Sequence, residues 1–291
     1  MAEIKIIEEN EHFLKLEISG FPKEIVNALR RTMIAEVPTL AIDEVLFTEN
    51  TSSLYNEYIA HRLGLLPLKT NPDPEFLANL SIDIQNGLIP EYRSDLQLRA
   101  ECPPQAGKSL TIYSSDLKSL GAEEIEVVEK NIPLFKLGVG QIVELQAFAR
   151  YGIGKQHAKF SPVSPVSYSF KPVLIFDKSK EFNCEEHVNV CPKQCLEYKD
   201  GVLRFTDAWE CILCRACEKD CKTGATKISW DESIVRMTIE STGSLPPKVI
   251  LKTAALILIR KLEILVSLLE KKEEIISEKN GSNQSVSKNG N

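Results

Sequence analysis

Cys211-Ile-Leu-Cys214-Arg-Ala-Cys217-Glu-Lys-Asp-Cys221 is a C-x2-C-x2-C-x3-C run. Three thiolates at this spacing wrap a short loop round one face of an iron–sulfur cube. In a two-cluster ferredoxin the fourth cysteine serves the other cluster. The ligand still missing from the first cluster then comes from an upstream Cys-Pro, and Cys191-Pro192 stands 20 residues before Cys211. The spacing nominates Cys191, Cys211, Cys214 and Cys217 as the iron ligands of one cluster. Four cysteines permit [4Fe–4S]; without Cys214 the cluster is [3Fe–4S].

The upstream half of this block departs from the ferredoxin repeat. Counting back from Cys191, the three ligand positions hold Glu181, Cys184 and His187, and Lys222 follows Cys221 where ferredoxins carry proline. A second cube would have only Cys184 and Cys221 in standard positions, so one cluster is expected. In a ferredoxin-like fold those two cysteines would be close, forming a disulfide or remaining thiols. Cys195 has no slot in the pattern; it could replace Cys191 as ligand or pair with another cysteine. Zinc is the alternative metal, but structural zinc sites use two separated C-x2-C pairs, and the continuous run favours iron–sulfur. Seven of the eight cysteines lie between Cys184 and Cys221. Such clustering points to a metal centre rather than a disulfide scaffold. Cys102, before Pro103-Pro104, has no second cysteine nearby and reads as free or structural.

Outward from this block, the 291 residues allow roughly two domains, with one or three also possible. Hydrophobic residues make up 43% and charged residues 26%, enough for a folded core. The formal charge of −6 argues against a protein whose main task is to coat nucleic acid, and little direct DNA contact is expected. No stretch approaches about 18 uninterrupted apolar residues, so no membrane span is expected. Residues 1–20 are acidic and alternating and read as neither a signal nor a transit peptide; a cytoplasmic location is expected.

Residues 3–8 and 12–19 alternate and predict an opening hairpin. A helix follows from Phe21-Pro22, with Ile25, Val26, Leu29, Met33 and Ile34 on one side, and Pro38 ends it. Arg30 and Arg31 lie in this helix, as a solvated face or as contacts to a partner. Leu40–Phe47 reads as a strand and residues 56–64 as a short helix, in which His61 has a structural or capping role. A loop and short helix over 71–80 come next. Further strands are predicted at Leu96–Ala100, Leu110–Tyr113, Ile125–Val128 and Ile142–Ala149, with a turn-rich linker over 151–165. Residues 166–176, 227–230 and 233–240 are strand-like. A helix begins at Pro246-Pro247, capped by Ser244 or the next residue, and runs to about Lys271. Leu251, Ala255, Leu258, Leu262, Leu265 and Leu269 recur along it at spacings of three and four. Ile250, Ile257, Ile264 and Leu268 widen its apolar surface beyond what one small domain needs, which predicts a partner helix.

The fold class expected is α+β and discontinuous. Residues 1–40 and 227–270 form one domain, a β-rich domain is inserted over 41–165, and a ferredoxin-like iron–sulfur domain over 166–226. Residues 271–291 form a polar tail expected to be disordered. Gly138-Val-Gly140 and Tyr151-Gly-Ile-Gly154 lack the third glycine of a dinucleotide fingerprint, and no P-loop is present. No nucleophile–histidine pair or paired carboxylates stand out, so no catalytic residue is nominated.

The stretch Asn27-Ala-Leu-Arg-Arg-Thr-Met-Ile-Ala-Glu-Val-Pro-Thr-Leu-Ala-Ile-Asp43 resembles a dimerisation-helix signature. Its family comprises the eukaryotic third-largest core subunit of DNA-directed RNA polymerase, the bacterial alpha amino-terminal domain and their archaeal counterpart. The likeness, nearest to the archaeal branch, continues through Asn50 and Asn56-Glu-Tyr-Ile-Ala-His-Arg-Leu-Gly-Leu-Leu-Pro-Leu68 and covers about residues 1–270. It implies a non-catalytic platform that pairs with the small subunit L through helices of the two end segments. The large subunits then assemble on that pair, with subunits N and P. It places Arg30 and Arg31, and the apolar face of Leu251, Leu258 and Leu262, at or near those interfaces. The missing Asp-rich metal loop of a nucleotidyl-transferring subunit agrees with a non-catalytic place in that enzyme. The competing reading, a ferredoxin-type electron carrier or redox-enzyme subunit, shares the cluster but requires a donor or acceptor.

Overall fold

The computed structural model of the chain describes residues 2–88, 94–120, 125–180 and 188–286, with the side chains of Ser94, Ala106, Lys271 and residues 273–286 excepted. The chain folds as two compact units. One comprises residues 1–27 and 166–239, the other residues 28–165 and 240–291.

The first unit is built on a four-stranded sheet in the order β1-β2-β12-β9. β1 (Glu3–Glu9) and β2 (Phe13–Ser19) form the expected antiparallel hairpin, in which Ile4 pairs with Ile18 and Ile6 with Leu16. Period-two alternation puts Leu14, Leu16 and Ile18 on one buried face, each at most 4% exposed. β9 (Val163–Phe176) and β12 (Thr226–Ser241) are the long strands that enter and leave the cysteine block. Their mouths meet where the Asp177 N–H donates to the Ala225 carbonyl at 2.8 Å. Between them lie the small antiparallel pair β10 (Leu196–Lys199) and β11 (Val202–Phe205), and the one-turn helix α4 (Ala216–Asp220).

Two strands expected over 227–230 and 233–240 are one continuous strand. The Asp231 carboxylate accepts the Ser233 N–H at 2.9 Å and its hydroxyl at 2.6 Å. Asp231 and Ser233 therefore bond locally, and Glu232 bonds Lys23 at 2.7 Å, without breaking the strand.

The second unit holds a sheet in the order β3-β8-β4-β6, antiparallel throughout. β3 is Pro38–Asn50, β4 Ser94–Glu101, β6 Lys118–Ser119 and β8 Ile142–Ile153. β5 (Leu110–Tyr113) pairs with β7 (Pro133–Leu137) beside it. Ile125–Val128, expected as a strand, contributes only a bridge from Val127 to Leu68. Its side chains serve the core instead: Ile125 and Val127 join Leu63, Leu68, Leu96, Leu98, Leu137 and Leu145 in one buried cluster. The stretch 151–165, read as a linker, is the end of β8, a helical turn at Ala158–Phe160 and the start of β9.

Helix α1 (Lys23–Ala35) carries the chain from the first unit into the second. α2 (Asn56–Gly64) and α3 (Pro74–Gln85) follow. Asp73 caps α3 by accepting the Glu75 N–H at 3.0 Å, and Pro74 occupies the first turn, where a missing N–H is harmless. The last helix, α5 (Pro247–Val286), begins where the sequence places it but continues past residue 271. Glu, Lys and Ile over residues 270–279 are fair to strong helix formers, so the polar character expected to end the helix does not end it. The Ser244 hydroxyl bonds that of Thr242 at 2.9 Å.

The grouping of segments follows from these strands. The cysteine module shares a unit with the opening hairpin because its flanking strands are themselves members of the hairpin's sheet. Residues 41–165 share a unit with α5 because α5 packs on α3, where Arg260 pairs with Glu75 at 2.7 Å.

Candidate functional site

Two features are candidates for function: the exposed apolar face of α5 and the thiol cavity of the cysteine module. Each lies within one unit.

α5 begins as an ordinary amphipathic helix. Ile250, Thr253, Ala254 and Ile257 are fully buried. Lys261 bonds Glu36, one residue past the end of α1, at 2.6 Å, so the C-terminal half of α1 and the start of α5 belong to one body. Beyond this point the polarity pattern fails. Ile259, Leu262, Val266 and Leu269 recur at spacings of three and four along one stripe and are 50–61% exposed. Leu265 widens that stripe, and Ile264 and Leu268 extend the apolar surface further round the helix, at 42–56% exposed. A water-facing helix normally shows polar residues there. Of the nominated interface residues, Leu262 is exposed at 61%, while Leu251 and Leu258 are half-buried. On α1, Arg31 is exposed and Arg30 half-buried.

The cysteine module gathers its thiols around one cavity. Cys191, Cys195, Cys211, Cys214 and Cys217 all line it, with Leu196, Phe205, Ile212 and Ile228 as apolar walls. Two non-glycine residues in the left-handed region, Leu213 (φ 55°) and Arg215 (φ 57°), turn the loop between the cysteines. That conformation costs a residue with a side chain about 1 kcal/mol, so something must hold the loop in place. Asp207 starts it by accepting the Trp209 N–H at 2.8 Å. The Trp209 ring then lies 4.1 Å from the guanidinium of Arg236 on β12, which in turn reaches Glu17 on β2 at 3.4 Å.

The four nominated ligands therefore converge. Cys191 and Cys217 are buried, Cys211 half-buried and Cys214 exposed. The fifth lining thiol, Cys195, is 2% exposed, and its Sγ lies 3.5 Å from that of Cys191. A spacing motif has no position for Cys195; only the turn following Cys191 reveals that it faces the same space. Burial opposes ionisation of Cys191. The backbone N–H groups of Lys193, Gln194 and Cys195 and the Cys195 thiol outweigh burial and hold its thiol below the ordinary value. Burial pushes Cys195 up, and the neighbouring Cys191 and Cys211 add to the effect. Burial likewise raises Cys217.

Among the described residues, no three Cys, His, Asp or Glu side chains are grouped as ligands of a single metal ion. Five thiols around an apolar cavity are a donor set suited to a polynuclear iron–sulfur cluster, whose iron is held by thiolates. Cys184, Glu181 and His187 lie outside the described residues. The seven cysteines described carry free thiols. Cys221, proposed partner of Cys184, is buried beside Thr223 at 3.4 Å; burial opposes its ionisation, but hydrogen bonds from Thr223 and Thr226 hold its thiol down to about 7. Cys102 is fully buried and donates to the Lys108 carbonyl at 3.4 Å, a structural position.

His61 lies exposed in the last turn of α2. It borders a concavity with Asp43, His157 and Lys159. Burial raises the Asp43 carboxyl, but hydrogen bonds and charge from Lys159 (2.5 Å) and Arg150 (2.6 Å) prevail and hold it below its usual range. Among the described residues, no helix is long and apolar enough to cross a membrane.

An α+β chain whose last helix exposes the stripe Ile259, Leu262, Val266 and Leu269 has the surface of a subunit that associates with another chain. The chain belongs to the family described as the RNA polymerase Rpb3/Rpb11 dimerisation domain, which matches residues 15–262. It is 36% identical over 275 residues to DNA-directed RNA polymerase subunit Rpo3 of Pyrococcus furiosus, covering 92% of this chain and 97% of the relative. The Rpo3 subunit of Methanosphaera stadtmanae is 31% identical over 274 residues, 93% of this chain and 99% of the relative. The DNA-directed RNA polymerase II subunit rpb3 of Dictyostelium discoideum is 32% identical over 281 residues, with 89% and 92% covered.

Proposed function

We propose that this chain is a non-catalytic platform subunit of DNA-directed RNA polymerase, working in the cytoplasm. It pairs with the small subunit L, and the pair nucleates assembly of the large subunits together with subunits N and P. The observation that carries this reading is the stripe Ile259, Leu262, Val266 and Leu269, exposed on a helix whose first turns bury Ile250, Ala254 and Ile257. Family membership and similarity to polymerase subunits over about nine-tenths of the chain support it. Leaving such a stripe in water forgoes about 25 cal/mol for each Å² of apolar surface, which a partner helix recovers. Co-expression with a subunit L homologue should yield a one-to-one complex. A monodisperse monomer with no affinity for that homologue would overturn the reading.

The cysteine module is proposed to hold one iron–sulfur cluster through Cys191, Cys211, Cys214 and Cys217. The convergence of these thiols on an apolar cavity supports it. Such a group supplies one-electron chemistry and cross-links the loop that bears it. In this chain we assign the cross-linking role, because the loop's left-handed turns need a restraint. Iron and acid-labile sulfide measured on anaerobically purified protein, with its visible absorption, test the proposal. Bound zinc without sulfide refutes it. Cys214, the exposed ligand, separates the two cluster types: if Cys214→Ser leaves spectrum and iron content unchanged, the cluster is [3Fe–4S].

A further inference from the structure

We infer that Cys191 and Cys195 form a reversible disulfide when the thiol cavity holds no cluster, and that this bond gates cluster loading. The gating rests on the cluster proposed above; the bond itself does not. The two sulfurs stand 3.5 Å apart, both residues are at most 9% exposed, and both line the same cavity. The segment between them is a single turn. The Gln194 N–H donates to the Cys191 carbonyl at 3.0 Å, and Gln194 itself is left-handed (φ 51°), which folds the chain back on itself. The Cys195 carbonyl is fixed from the other side by the Thr206 N–H at 3.0 Å. The pair is thus held in contact, and a disulfide needs the sulfurs to close to about 2.05 Å. The four-ligand pattern has no use for Cys195, whereas a resolving thiol beside a ligand has one.

The oxidant is hydrogen peroxide. The Cys191 thiolate attacks the peroxide oxygen, the O–O bond breaks, and water leaves with a proton from solvent, giving the sulfenic acid. The Cys195 thiol then attacks that sulfur; the S–S bond forms, the S–O bond breaks and a second water leaves. Two thiols are oxidised and one peroxide is reduced to two waters. Cys191 is thereby withdrawn from the cavity's donors, and a dithiol reductant restores both thiols.

The test uses the full-length, cluster-free chain treated anaerobically with hydrogen peroxide, then alkylated and mapped by peptide mass. A Cys191–Cys195 cross-link reversed by dithiothreitol is expected. Peroxide-treated wild type should lose its uptake of iron and sulfide until dithiothreitol is added, while Cys195→Ser and Cys195→Ala, which lack the resolving thiol, should take up iron and sulfide when reduced but form no cross-link at Cys191 after peroxide. A cross-link mapping to another pair, such as Cys211 with Cys217, or only sulfinic acid at Cys191, overturns the bond. Equal uptake by oxidised and reduced wild type overturns the gating. Reduced wild type that takes up no iron and sulfide refutes the cluster and with it the gating, while the peptide map, read on wild type alone, still decides the bond.

Discussion

Replacing Leu262 by alanine separates a helix face kept for a partner from one that merely looks apolar. Complete burial of a leucine side chain contributes about 1.5–3 kcal/mol. Leu262 is 61% exposed in this chain, so most of that gain is still outstanding when the partner arrives. Alanine keeps only the β-carbon, and the loss at the interface comes to about 1–2 kcal/mol, a roughly 5–30-fold weaker complex. Leu269 lies two turns along the same stripe, about 10 Å away, so Leu262→Ala with Leu269→Ala should add to about 2–4 kcal/mol. The chain's own stability responds differently. Leu262→Ala removes little that is packed internally and should change unfolding by no more than about 0.5 kcal/mol. Ile257→Ala, at a fully buried position just over one turn earlier, should cost the chain about 2–5 kcal/mol. Titration calorimetry against a subunit L homologue reads the first effect, and urea unfolding of the chain alone reads the second. If Leu262→Ala destabilises the isolated chain as much as Ile257→Ala does, or if the double variant binds like wild type, the partner face is misassigned.

Three further outcomes follow from the packing. Gly154→Ala should destabilise the second unit by roughly 3 kcal/mol in chemical denaturation, because a β-carbon there would stand 2.1 Å from the Ile34 carbonyl oxygen, and backbone cannot yield as a side-chain tip does. Asp43→Asn should weaken the fold at neutral pH. The folded carboxyl is held below its ordinary value, so its stabilisation is complete above that value and disappears as pH falls through the lowered one. The gap between wild type and variant should therefore close in acid, and an equal gap at about pH 7 and about pH 2 would contradict the ion-pair account. In a Trp230→Phe background, Arg236→Ala should cost about 0.5–2 kcal/mol and shift Trp209 emission to longer wavelength, since the ring loses the cation stacked 4.1 Å away. Unchanged emission would mean that the stack does not persist in solution.

Much of this fold can be read from residue order because its elements are strongly patterned. Alternation over residues 3–19 marks the hairpin. The spacing of Val26, Leu29 and Met33 marks α1, and Pro246-Pro247 marks the start of α5. The misreadings have local causes. β7 opens on Pro133 and contains Lys136, which disguise a strand whose Leu134, Phe135 and Leu137 are buried. Ile125–Val128 carries a strand's composition but spends its side chains on the core. Trp230 to Ser233 reads as a break because three polar residues interrupt the apolar run, yet Asp231 and Ser233 bond each other and Glu232 bonds Lys23, so the strand continues. At the thiol site, spacing along the chain nominates Cys191, Cys211, Cys214 and Cys217, which all line one cavity. The walls Phe205 and Ile228, the Trp209–Arg236 stack and the inward turn of Cys195 depend on distances between segments that no spacing records.

The hydrogen bond between Asp177 and Ala225 defines a neck through which the whole cysteine module hangs from the sheet. β9 and β12 are neighbours in that sheet, so the ends of the module meet without any bridging segment. A chain in which residues 178–224 were replaced by a tight reverse turn would simply close the two strands into a hairpin. The module is thus a pendant: an ancestor could acquire it, and a descendant could shed it, while the exposed apolar stripe of α5 stayed intact.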